Sequence, residues 1–166
     1  MIDRNDPAMN EIVVTFCSET ENLLLALQNL LNLLEKDMSQ IVLLENFGQI
    51  IDRIMGAAKS ISATEIATIC ELGKEIGYKS SQTNDPQLIE IVVAVFFDTI
   101  ELLSKLNADL KNNTFSKSNF EKTQTFITRL KWLSEKFKHV KRSSCDFDSN
   151  KLNQETTDQL LKKLGV

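Results

Sequence analysis

Five glycines and two prolines are all that punctuate 166 residues. Sandwiches and barrels reverse the chain every few residues at turns that lean on Gly, Asn-Gly and Pro, and this sequence lacks that material. Long segments joined by few loops are what remains, and the spacing of the apolar residues makes those segments helical. With 42% hydrophobic and 25% charged residues, the composition is that of a globular chain rather than a disordered one. The length suits one domain with its own core.

From Pro7 to Glu35, the positions Ile12, Phe16, Leu23, Leu27, Leu30 and Leu34 recur at helical spacing and predict a long amphipathic helix. A second helix is expected from about Ser39, its N-cap, to about Ser60, with Ile41, Leu44, Phe47, Ile51, Ile54, Met55 and Ala58 on the buried side. The third should begin after Ser62 with a capping box completed by Glu65, bury Ile66, Ile69, Cys70 and Ile76, and stop at Gly77. Beyond the polar stretch YKSSQTND, Pro86 opens a fourth helix with the stripe Leu88, Val92, Val95, Thr99, Leu102 and Leu106, ending at Lys111, Asn112 and Asn113. Ser116 or Ser118 would cap a fifth. In it Phe126, Leu130, Leu133, Phe137 and Val140 face inward, while Lys122, Arg129, Lys131, Lys136, Lys138, Lys141 and Arg142 make the other side basic. The expected fold class is all-α, an antiparallel four-helix up-down bundle plus a fifth helix. Residues 1–142 form the body, 143–153 a flexible tether, and 154–166 a short amphipathic peptide.

Charge divides along the chain. Residues 1–114 carry 17 acids and 8 bases, and residues 115–166 carry 6 acids and 11 bases. The acidic body argues against a nucleic-acid grip across the molecule. The basic fifth helix reads as a docking patch for an acidic partner or a second copy, so a homodimer is left open. Cys17, Cys70 and Cys145 have no metal-ligand spacing, and no basic-plus-apolar leader precedes them, which points to a reducing cytoplasm. No apolar run approaches the ~18 residues that span a bilayer, so no membrane partner is expected. The single histidine, His139, reads as a solvated surface residue.

The second helix carries the most informative pattern. Glu45, Gln49, Asp52 and Gly56 fall at spacings of four, three and four, so they share one face opposite the apolar one. A polar outer stripe is ordinary, but a mid-helix glycine costs about 1 kcal/mol relative to alanine and suggests a close approach there. The run Asp52-Arg53-Ile54-Met55-Gly56-Ala57-Ala58 resembles the His-x-hydrophobic-Lys-Gly-x-Ala motif of histidine phosphotransfer (Hpt) domains of the chemotaxis kinase type. The hydrophobic residue, Gly and Ala match, Asp52 stands at the phosphorylated histidine, and Met55 stands at the lysine. The segment FCSETENLLLALQNLLNLLE is similar to the first helix of that domain, and the resemblance covers roughly residues 8–140. It implies a domain that meets receivers and is no histidine phosphotransferase, with Asp52, Arg53 and Gly56 on its binding face.

The C-terminal peptide NQETTDQLLKKLGV resembles the regulator-binding terminus of the chemotaxis phosphatases and the N-terminal peptide of the flagellar switch protein. That likeness implies contacts through Asp158, Leu160, Leu161, Leu164 and Val166, with Lys162 and Lys163 where the family has acids. Both resemblances imply the same partner, a CheY-like receiver domain. Two functions of different classes follow. In one, the chain speeds loss of the receiver's aspartyl phosphate. Gln49 orients the attacking water, as in the Asp-x-x-x-Gln helix of the chemotaxis phosphatases, and Glu45 or Asp52 contacts the receiver's lysine. The chain then needs no cofactor of its own, because the receiver brings the Mg²⁺. In the other, a non-catalytic adaptor occupies or sequesters the receiver.

Overall fold

The computed structural model describes residues 6–114 and 117–139. These residues form five α-helices and no strand: α1 (Pro7–Lys36), α2 (Val42–Ser60), α3 (Thr64–Ser80), α4 (Pro86–Asn112) and α5 (Lys117–Lys136). Both prolines occupy the first helical position, where a missing N–H costs nothing. Each follows a capping aspartate. Asp6 accepts from the Ala8 N–H at 2.9 Å, and Asp85 accepts from those of Gln87 and Leu88 at 3.1 and 3.2 Å.

Several other helix ends depart from the sequence reading, and each departure has a local cause. Ser39 does not cap α2. Its hydroxyl and N–H, with the Gln40 amide, donate to the Asp37 carboxylate, which these bonds hold below the usual carboxylate range, and the helix starts only at Val42. Nor do Ser62 and Glu65 form a capping box. Ser62 adopts a left-handed conformation (φ 60°) and closes α2: its N–H bonds to the Lys59 carbonyl, and the Ala63 N–H bonds to that of Ala58. The N-cap of α3 is therefore Ala63, without a side-chain cap. The end of α4 is built alike, with Asn113 at φ 56°, as the asparagine pair predicts. Because α5 begins at Lys117, Ser118 lies inside it; Ser116 and Val140 are outside the described residues.

Each of α1 and α3 packs on both α2 and α4, closing a ring of four helices, and α5 lies mainly on α3. Phe47 and Phe96, both wholly buried, stack with ring centroids 3.9 Å apart and join α2 to α4 across the middle. At the α1–α4 seam the buried Asn107 amide donates to the Cys17 carbonyl at 3.0 Å, and Lys111 pairs with Glu21 at 2.8 Å. Periodicity places most inward residues correctly. On α4, however, Leu88, Val95 and Leu102 are half-buried at the edge of a wider stripe centred on Val92, Phe96, Ile100 and Leu103. On α1, Ile12 is 51% exposed.

Gly77 is the largest departure. It does not stop α3, which continues to Ser80, but sits buried inside it against α2. A Cβ on Gly77 would lie 2.8 Å from the Leu44 carbonyl oxygen and 3.1 Å from the Gly48 nitrogen. A Cβ on Gly48 would lie 3.0 Å from the Tyr78 ring and 3.3 Å from the Lys74 carbonyl oxygen, and one on Gly73 would lie 2.8 Å from the end of Ile51. Three glycines thus line one seam. The numbering of α2 rises along it as that of α3 falls, so the two helices are antiparallel.

This seam gives opposite outcomes for two glycine-to-alanine changes. Helix propensity offers alanine about 1 kcal/mol at either site. Gly77→Ala is expected to lose about 1–3 kcal/mol of stability, because its methyl meets backbone rather than a side chain that can move. Gly56→Ala, where a Cβ meets nothing within 4 Å, is expected to gain up to about 1 kcal/mol. Urea unfolding of both variants measures this, and an unperturbed Gly77→Ala would contradict the seam.

Candidate functional site

The buried side of α2 carries Leu44, Phe47, Ile51, Ile54 and Ala58, and this commits the opposite side to solvent. Gln49, Arg53 and Gly56 are exposed there, while Glu45 and Asp52 are half-buried. The four-residue stripe read from the sequence is therefore one continuous face. The side chains of Glu45, Gln49 and Arg53 have no hydrogen-bond or ion-pair partner among the described residues.

Asp52 differs from its neighbours. Its carboxylate accepts from the Lys74 ammonium of α3 at 2.8 Å, with the two side chains 37% and 30% exposed. At that exposure the pair is worth about 0.2–1 kcal/mol of stability. Its larger effect is on availability, because the charge of Asp52 is already answered within the chain. Glu45, one turn before Gln49 and unpaired, is the free carboxylate of the face.

Lys74 was not among the residues singled out by the sequence, since its distance from Asp52 depends on how α2 and α3 pair. The signal that could have found it is Gly73 and Gly77, four apart on α3, together with Gly48 on α2, a small-residue set that marks a close helix–helix contact. Beside the pair lies a shallow cleft of about 270 Å³ lined by Met55, Glu71, Lys74, Glu75, Tyr78 and Lys79. Lys79 pairs with Glu75 at 2.6 Å and Lys59 with Glu71 at 3.3 Å along its margin. Met55 and Lys74 thus line the same cleft.

The glycine on this face stands apart from the seam glycines. Gly48, Gly73 and Gly77 each answer to a contact inside the molecule, whereas Gly56 faces open space. No packing within the described residues accounts for it.

Elsewhere, α5 presents Lys122, Arg129, Lys131 and Lys136 to solvent, and Lys138 is exposed in the turn that follows. Arg129 reaches Asp98 of α4 at 3.5 Å, and the Lys136 ammonium lies 4.6 Å from the ring centroid of Trp132, which is 59% exposed. His139 is exposed. Lys141, Arg142, Cys145, the tether at 143–153 and the peptide residues Asp158, Leu160, Leu161, Leu164 and Val166 lie outside the described residues. Among the described residues no group of His, Cys, Asp and Glu could hold a metal ion, and no helix is long and apolar enough to cross a membrane.

Cys17 and Cys70 are buried, and desolvation pushes the Cys70 thiol well above its ordinary value. A thiol so placed is a poor nucleophile. In the native protein neither cysteine is expected to react with a thiol reagent on the timescale at which the unfolded chain reacts fully. Rapid labelling of Cys70 at neutral pH would contradict its place in the core.

Compared with known proteins, the chain matches no protein-family model, no curated protein and no solved structure.

Proposed function

We propose that this chain is a cytoplasmic two-component signalling protein of the chemotaxis type. In this reading it docks a CheY-like receiver domain on the outer face of α2 and promotes loss of the phosphoryl group from the receiver's aspartate. Its body, residues 1–142, is a four-helix up-down bundle of the Hpt type with α5 added. The closed ring of packed helices and the antiparallel α2–α3 pair support that arrangement.

The observation that carries the reading is Gly56. A glycine inside a helix costs about 1 kcal/mol, the described fold makes no use of this one, and it lies on the face that bears the unpartnered Gln49 and Glu45. A surface kept bare at a cost to its own stability suits the close approach of another backbone.

The chemistry asks little of the helper. An aspartyl phosphate is an acyl phosphate, and in its hydrolysis a water oxygen bonds to phosphorus as the bond to the aspartate oxygen breaks. The carboxylate leaves with the electron pair, and the water's proton passes to the phosphate. The receiver supplies the Mg²⁺ and the phosphoryl group. Gln49 supplies a carboxamide that accepts from the water and fixes its line of attack. Glu45, whose side chain has no partner among the described residues, is the acid that meets the receiver's lysine. The C-terminal peptide, through Asp158, Leu160, Leu161, Leu164 and Val166, acts as a tethered second contact that raises the local concentration of receiver at α2.

Substoichiometric protein is expected to accelerate phosphate loss from a ³²P-labelled CheY-like receiver, and Gln49→Ala to abolish the acceleration while leaving binding intact. Binding without acceleration by the wild-type protein would make it an adaptor instead. A chain ending at Ser149 is expected to bind receiver at least several-fold more weakly than the full chain. Equal binding by the two would remove the peptide from the account.

A further inference from the structure

The α2 face is incomplete without α3. The Lys74 carbonyl oxygen stands 3.3 Å from where a Gly48 Cβ would be, so the backbone that carries Lys74 is fixed against the residue next to Gln49. Its side chain then runs outward along α2 to Asp52, which is three residues, about 4.5 Å of rise, beyond Gln49. The ammonium is therefore held at the edge of the surface on which a docked phosphoryl group would lie. It is restrained by a single half-exposed carboxylate rather than by a buried network.

We propose that Lys74 is the residue that distinguishes a phosphorylated receiver from an unphosphorylated one, by exchanging its contact with Asp52 for one with the aspartyl phosphate of the docked partner; this rests on the receiver-docking reading above. The exchange is favourable in charge. A phosphoryl group carries close to two negative charges and three acceptor oxygens against the single charge of Asp52, so of two charge-assisted bonds Lys74 takes the one to the more highly charged acceptor. Asp52 keeps Lys74 extended toward the face while no phosphate is present, and it sets a threshold that a weaker anion does not cross. When the phosphate leaves, Lys74 returns to Asp52, and the receiver loses the contact that favoured its binding. Glu71 and Glu75, each tied to its own lysine, leave Asp52 as the sole carboxylate within hydrogen-bond distance of Lys74 among the described residues.

The test is calorimetric titration of the full-length protein with a CheY-like receiver in Mg²⁺, with and without beryllofluoride, which stands in for the phosphoryl group. Wild type is expected to prefer the beryllofluoride-loaded form. Lys74→Ala should cut that preference by about tenfold or more with little change in affinity for the unloaded form, Lys74→Arg should retain most of it, and Asp52→Asn should widen it by freeing the lysine. A preference unchanged in Lys74→Ala, or equal wild-type affinity for both forms, overturns the role of Lys74 while leaving the docking reading in place. Wild-type protein that binds neither form overturns the docking reading and, with it, this proposal.

Discussion

The close contact between α2 and α3 is the constraint on which the rest depends. At Gly77 the backbone of α2 stands where a Cβ would be, and at Gly48 the Tyr78 ring and the Lys74 carbonyl leave a Cβ little room; this fixes both how near the helices lie and how they are registered. Everything on the outer surface inherits that register. It pairs Asp52 with Lys74 and Lys59 with Glu71, opens the cleft beside Met55, and builds from two helices a face that neither would present alone. Small residues at a helix crossing lower helix propensity, and they are retained where the contact they permit outweighs that cost.

The remaining helices are held by more ordinary means. Leu27, Leu31 and Leu34 of α1 are buried in one core with Phe96 and Leu103 of α4, and both helices begin at a proline behind a capping aspartate. The charge boundary near Thr114 is not a fold boundary, because α5 packs on α3 and reaches Asp98 of α4 through Arg129. An acidic four-helix body thus wears a basic helix on one side.

What was legible in the sequence divides along physical lines. Period and length revealed the helices, because Phe47, Ile51 and Ile54 recur at a spacing that only a helix places on one side. The same local grammar misread Gly77, because a glycine before YKSSQTND has the form of a helix stop and only the surface of α2 shows it to be interior packing. Ser62 failed for a related reason: one residue can cap the helix after it or close the helix before it, and the backbone chose the second. The stripe Glu45, Gln49, Asp52 and Gly56 was legible, since it lies within one helix. Lys74 was not, because it belongs to the site through a pairing of residues 22 positions apart.

The account stands on the claim that the outer surface of α2, completed by Lys74, is where a receiver docks. The most direct measurement is the change in backbone amide chemical shifts of the ¹⁵N-labelled full-length protein on adding a beryllofluoride-loaded CheY-like receiver. The account predicts the largest shifts at Glu45, Gln49, Arg53, Gly56 and Lys74, with the outward residues of α1 unmoved. Shifts confined to α5 around Trp132 and Lys136, or none at a saturating excess of receiver, would contradict it.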